Sequence, residues 1–125
     1  MNVVGRTLRR LTESSDARLL RESAEDHERR HPEERVISIR SCTPGDNVTV
    51  SGTIAAIVVR PEGTTPALEV ELRDDSGHVF VVWLGRRRIP GIDEGRAMVV
   101  HGRLNCVAEH PTIYNPRYEL LPSQP

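Results

Sequence analysis

The chain has 125 residues, 37% of them apolar and 28% charged, with a formal net charge of −1. That length suits one domain with a short appendage, and the modest apolar share concentrates the core in part of the chain. No apolar run approaches the ~18 residues a membrane span needs, and a near-zero net charge leaves no global basic footprint for nucleic acid. With no apolar signal core at the N-terminus either, the expectation is a soluble, cytoplasmic protein without membrane insertion. All seventeen basic residues are arginine, a bias that points to a GC-rich genome more than to a function. Cys42 and Cys106 make too thin a disulfide framework for a cytosolic chain, so idle or buried thiols are expected.

Residues 1–34 read as a short α-helical appendage. Val4, Leu8 and Leu11 fall on one helical face, Ser14 or Ser15 offers a second N-cap, and Leu20 and Ala24 continue a weaker stripe. The charged remainder, RESAEDHERRH, runs to Pro32. One or two short helices follow, marginal alone, docked by a thin apolar face and offering a surface to a protein partner. His27 and His31 stand four apart and could share a metal. No HExxH pattern or third ligand accompanies them, so a solvated helix end is expected, with no metal and no cofactor.

From Arg35 the period changes to two, and residues 35–121 read as the main domain, ahead of a polar tail at 122–125. Ile37 and Ile39 precede a Pro-Gly turn. In VTVSGTIAAIVVR, Val48 and Val50 alternate with polar residues; the run after Gly52 is nearly all apolar. The first part is expected half-exposed, the second buried on both faces, with Gly52 bending one strand to serve two sheets. ALEVELR alternates Leu68, Val70 and Leu72 inward with Glu69, Glu71 and Arg73 outward. Asp74 to Gly77 form a hairpin turn with Gly77 at positive φ.

HVFVVWL, residues 78–84, holds the only Phe and the only Trp. GRRRIPGIDEG is a connection with one helical turn, AMVVHGRL a fourth strand, NCVAEHPT a loop or frayed hairpin, and IYNPRYELL a fifth strand. Five strands, a glycine-bent first strand and a pause between the third and fourth predict an all-β core: a five-stranded OB-fold barrel, whose closure would remove exposed edges.

The succession VTVSGTI, LEVELRDDSG, HVFVVWL, GRAMVVHGRL and NPRYEL resembles nucleic-acid-binding OB folds of the anticodon-binding type. It is most similar to the wedge domain of RecG-type branched-DNA helicases, whose last strand has a similar Pro-x-Tyr-Glu-Leu ending. VVWLGRRRIPGIDEGRAMVVHGRL with IYNPRYEL also resembles a small stand-alone OB-fold family of actinobacteria. The likeness covers residues 38–121. No GxxxxGK[ST] phosphate loop is present, so this chain has no helicase motor of its own.

The resemblance implies single-stranded or branched DNA, or RNA, bound across strands two and three beside the loops after strands one and four. By parity Phe80 points outward, to stack on a base or to cover the N-terminal helix. Trp83 falls on the core side, where it plugs the barrel unless a bulge reverses the strand. Tyr114 and Tyr118 share parity and therefore a face. Arg86, Arg87 and Arg88 form the densest positive run, either a phosphate contact or a solvated connection balanced by Asp93 and Glu94. Arg60, Arg73, Arg103 and Arg117 join them as candidates, since a guanidinium fork suits phosphate. Against binding stand Glu69 and Glu71 on the same face, and eight arginines against ten carboxylates from Cys42 onward. His78, His101 and His110 have no nucleophile at a recognisable spacing, so no catalysis is expected. The expectation is a non-enzymatic nucleic-acid-binding module; the alternative is an accessory protein-interaction domain that has lost the ligand.

Overall fold

Residues Val3–Arg30 form one α-helix, α1. The computed structural model describes residues 3–63 and 65–122; the side chains of residues 3–16 and of Glu62 lie outside the description, and with them the expected Val4–Leu8–Leu11 stripe. Of the one or two short helices expected, a single long one forms, unbroken at Ser14–Ser15. Neither Gly nor Pro stands between Arg6 and His31, and two serines cost a helix too little to stop it. Pro32 ends the element, and the chain turns through a Glu34 N–H bond to the His31 carbonyl.

A 3₁₀ turn at Ile39–Ser41 leads into six strands: β1 Asn47–Glu62, β2 Thr65–Arg73, β3 His78–Leu84, β4 Ala97–Val107, β5 His110–Tyr114 and β6 Arg117–Leu120. They form one sheet in the order β1-β2-β3-β5-β4-β6, with a further β1–β4 pairing. All pairs are antiparallel except β3–β5. The five-stranded barrel expected from the sequence is thereby corrected to a mixed six-stranded sheet with one long N-terminal helix.

The extra strand comes from the segment read as one fifth strand. Asn115, at φ 47, breaks it into β5 and β6. β6 then leaves β5 and runs along β4. Of the expected loop or frayed hairpin, the structure forms a tight hairpin between β4 and β5, with Ala108 and Glu109 at φ 50 and 68. Two successive positive-φ residues suit the twist of a two-residue hairpin.

β1 changes partner along its length. Asn47–Thr53 pairs with β4 and Thr53–Glu62 with β2, with a bulge between Ile54 and Ala56. Gly52 sits at the exchange, where an added Cβ would lie 2.4 Å from the Arg73 carbonyl oxygen. The expected burial of the two halves is reversed. Thr49 and Ser51 are buried beneath the α1 side, while Val58 and Val59 are 43% and 48% exposed where β1, past its pairing with β4, is an edge strand on β2 that runs out into a two-stranded ribbon. Composition alone could not show that the apolar run outlasts the sheet it joins.

The inward parity of β2 and β3 is as read: Leu68, Val70, Leu72, Val79, Val81 and Trp83 all join the core. The connection after β3 is anchored by buried Ile89 and Ile92. The β2–β3 turn needs no positive φ at Gly77. Instead Asp74 Oδ1 accepts bonds from the Ser76 N–H, the Ser76 hydroxyl and the Gly77 N–H, and Oδ2 accepts the Ile39 N–H. One carboxylate thus closes the hairpin and pins the 3₁₀ turn to it.

Gly52→Ala must push backbone away from backbone, which a core relieves poorly. It is expected to lower unfolding stability by at least about 1–3 kcal/mol in urea denaturation. Gly77→Ala, with open space around its Cβ, should stay near wild type.

Candidate nucleic-acid interface

The pairing registers place outward residues in rows across β2, β3, β5 and β4. Glu71 lies opposite Phe80, Phe80 opposite Thr112, and Thr112 opposite Asn105. One alternate step toward the ribbon are Glu69, Val82 and Tyr114, with Arg103 the next outward residue of β4. One step the other way are Arg73 and His78, with His110 beyond. Phe80 is the centre of this face. Its ring is met edge-on by His78 at 5.5 Å and by His110 at 5.4 Å. The histidines brace the ring upright and leave it partly exposed.

The two carboxylates that counted against anion binding are each paired. Arg60 Nε donates to Glu69 Oε2 at 3.2 Å, and Arg73 Nε to Glu71 Oε2 at 2.7 Å. Both arginines remain more than half exposed. Arg86, Arg87, Arg88 and Arg103 are exposed and make no ion pair among the described residues. Arg60, Glu69, Val82, Leu84 and Tyr114 line a shallow cavity of about 160 Å³ at the ribbon end of the face.

Trp83 is only 6% exposed and on the inner side, its ring 5.5 Å from that of Tyr118. The shared face expected for the two tyrosines does not form, because the Asn115 bend lies between them. Tyr114 is on the outer face of β5, whereas Tyr118 meets Trp83 from β6. Arg117 lies at the opposite side of the domain, on the outer face of β6 across from His101, where its Nη2 donates to Glu34 Oε2.

That opposite side is covered by the end of α1 and holds a cluster the sequence reading missed. Glu34 is 6% exposed and also accepts a bond from His27 Nε2 at 2.9 Å; His101 Nδ1 stands 3.8 Å away. Burial pushes the Glu34 carboxyl up, but the His27 and Arg117 hydrogen bonds and the neighbouring His101 outweigh it and hold the pKa below its ordinary value. Glu119 on β6 accepts from Arg30 Nη2 at 2.7 Å, which lowers its pKa against a smaller opposing effect of burial. His27 is therefore no solvated helix end. Nothing periodic in HERRHPEE marks Glu34 as the buried member, and only the chain reversal at Pro32 brings it under the helix. Thr49 also bonds to His101, yet through the same Nδ1 that faces Glu34. A proton relay needs both ring nitrogens, so this is a packing contact.

Cys42 and Cys106 are free and line one cavity with Ile39, His78 and Pro111. Burial, with Asp74 and Asp46 nearby, pushes the Cys42 thiol up. Among the described residues, no helix is long and apolar enough to cross a membrane.

The fold is similar to part of RecG bound to a three-way DNA junction, at TM-score 0.58 and 21% identity, over 71% of this chain and 13% of the RecG chain. It is also similar to an OB domain from Thermoplasma acidophilum, at TM-score 0.57 and 13% identity, over 71% of this chain and 89% of that one. The second OB-fold domain of replication protein A from Methanococcus maripaludis aligns at TM-score 0.54 and 15% identity, over 71% and 97%. No family model matches the chain, and no curated protein does. At these identities the likeness carries a general OB-like fold, without an anticodon-binding or actinobacterial assignment.

Glu34 and Glu119 both have folded-state values below the ordinary 4.5. Their contribution to stability is complete above that value and is lost as pH falls through the depressed ones. Glu34→Gln is expected to lower stability at pH 7 by about 1–3 kcal/mol and to flatten the acid limb of a stability-versus-pH curve. An acid limb identical to that of the wild type would show that the Glu34 contacts do not hold the helix.

Proposed function

We propose that this chain is a non-enzymatic nucleic-acid-binding module that takes a single-stranded or branched substrate on the outer face of β2, β3 and β5. The observation that carries the reading is Phe80, a partly exposed ring braced by two histidines at the centre of a face whose acids are paired with arginine. A base can stack on such a ring, for about 1–3 kcal/mol per base. Arg60, Arg73 and Arg103 lie on the same outer face, Arg60 and Arg73 through their pairs with Glu69 and Glu71, with Tyr114 as a second stacking surface. Arg86, Arg87 and Arg88 project from the connection after β3, within the same exposed region as its end. Trp83 and Arg117, counted as candidates from the sequence, act in this reading through the core and through α1 instead. The likeness to OB domains, and to a segment of a protein solved on a DNA junction, supports the same ligand class by analogy.

A second reading, an accessory protein-interaction module, draws on exposed Val58, Val59 and Leu84 at the ribbon end. Fluorescence anisotropy with labelled single-stranded DNA, single-stranded RNA and a forked duplex at two salt concentrations separates the two. Binding to at least one probe is expected at low salt. Phe80→Ala should weaken it about tenfold, and the double variant Arg86→Glu/Arg88→Glu should weaken it with a shallower salt dependence. No binding below about 1 mM to any probe would sink the first reading and leave the second.

A further inference from the structure

The ribbon end of the Phe80 face holds a small cavity whose polar edge has a definite pattern. Two adjacent outward rows meet there. Arg60, Ala67 and Leu84 stand opposite one another in one row, and Glu69, Val82 and Tyr114 in the next. All six line the same cavity of about 160 Å³. Ala67 and Val82, 2% and 7% exposed, give it a buried apolar floor, and half-exposed Leu84 and Tyr114 bound it. Its remaining edge is the Arg60–Glu69 ion pair. A site that is apolar in the middle, aromatic at one side and charged at another suits a single planar heterocycle, and it is too small for a drug-sized ligand.

The ion pair leaves most of its hydrogen-bonding capacity open. Arg60 Nε donates to Glu69 Oε2 at 3.2 Å. Among the described residues, Glu69 Oε1 accepts no bond and the two Nη groups of Arg60 donate none. A carboxylate offers about four lone-pair sites and a guanidinium five N–H donors. The pair therefore presents two acceptor oxygens followed by a donor. Of the common bases, only guanine carries the complement on its Watson–Crick edge: two donors, N2–H and N1–H, followed by the O6 acceptor. Adenine and cytosine would turn a ring-nitrogen lone pair toward the carboxylate, and thymine or uracil a carbonyl oxygen. Each would leave an acceptor facing an acceptor, a mismatch of the kind by which polar sites reject the wrong ligand. Phe80 stands one outward row away, on the strand next to that of Tyr114. Strand rise and spacing put the two positions about 8 Å apart, within reach of neighbouring nucleotides of an extended single strand.

We propose that this cavity holds a guanine base of a single strand, with Tyr114 and the apolar floor against the ring, Glu69 accepting from N1–H and N2–H, and Arg60 donating to O6. The inference rests on the nucleic-acid reading above and adds base selectivity to it; the base edge is the same in DNA and RNA. The test is fluorescence anisotropy at one salt concentration with labelled oligothymidylate and oligouridylate. The same strands carrying one central guanine, or one central inosine, which lacks the N2 amino group, complete the set. In whichever of DNA and RNA the chain binds, guanine should tighten binding about fivefold or more, and inosine should lose most of that gain. Glu69→Gln replaces one acceptor by a donor and should bring the ratio of the guanine-bearing to the guanine-free affinity down to about one. Phe80→Ala should weaken both strands and keep the ratio. Equal affinity for strands with and without guanine would overturn this inference and leave the nucleic-acid reading standing. An unchanged ratio in Glu69→Gln would overturn it too, placing the selectivity elsewhere on the face. Guanosine monophosphate competing as strongly as the guanine-bearing strand would overturn the strand as the ligand in favour of a free nucleotide. No binding of any strand would overturn both readings.

Discussion

The fold depends on β1 having two neighbours in succession. Its first half belongs to β4 and its second to β2, and the exchange requires β1 and β2 to approach within a carbonyl's reach at Gly52. A side chain there would part the strands where the register passes from one partner to the other. The bulge at Ile54–Ala56 is the other half of the device: it re-aims the strand after the close approach. Ile54 then exchanges backbone bonds with Gly95 and Arg96, so the connection before β4 is set by the same bend that directs β1 along β2.

This arrangement gives the sheet two unlike outer surfaces. On one, the stretch where β1, β4 and β6 lie side by side presents Thr49, Ser51, Val99 and His101, and α1 covers it through Glu34, His27, Arg30 and Glu119. On the other, β2, β3 and β5 carry Phe80 among paired charges. The helix therefore does more than append itself to a domain. Its end takes the β1–β4–β6 side, where Arg117 meets Glu34.

Legibility in the sequence followed the strength of periodicity. ALEVELR alternates strictly and lends its parity to HVFVVWL across the hairpin, so their inward and outward residues were correctly separated, including Trp83 and Phe80. IAAIVV carries no alternation, so its burial was read from apolarity alone and reversed. IYNPRYELL looked like one strand because apolar and aromatic residues continue through it. The left-handed turn at Asn115 is permitted by asparagine rather than demanded by it, so the split and the divergence of Tyr114 from Tyr118 left little trace. The Glu34 cluster was the least legible of all. Its members lie at residues 27, 34, 101, 117 and 119, each inside an ordinary charged or polar stretch, and only the docking of α1 distinguishes them.

The pairing of Glu69 with Arg60 and of Glu71 with Arg73 changes what a near-neutral net charge means for a nucleic-acid ligand. A phosphate arriving at either arginine does not meet a bare cation; it competes with an exposed ion pair worth about 0–1 kcal/mol. Exchanging one anionic partner for another releases few counterions, whereas neutralising a free arginine releases nearly one per contact. The salt dependence of the proposed complex would then come from Arg86, Arg87, Arg88 and Arg103, and the affinity that survives high salt from stacking on Phe80. A face built this way would hold nucleic acid locally and without a basic sheet, which reconciles the proposed ligand with a chain whose charges almost cancel.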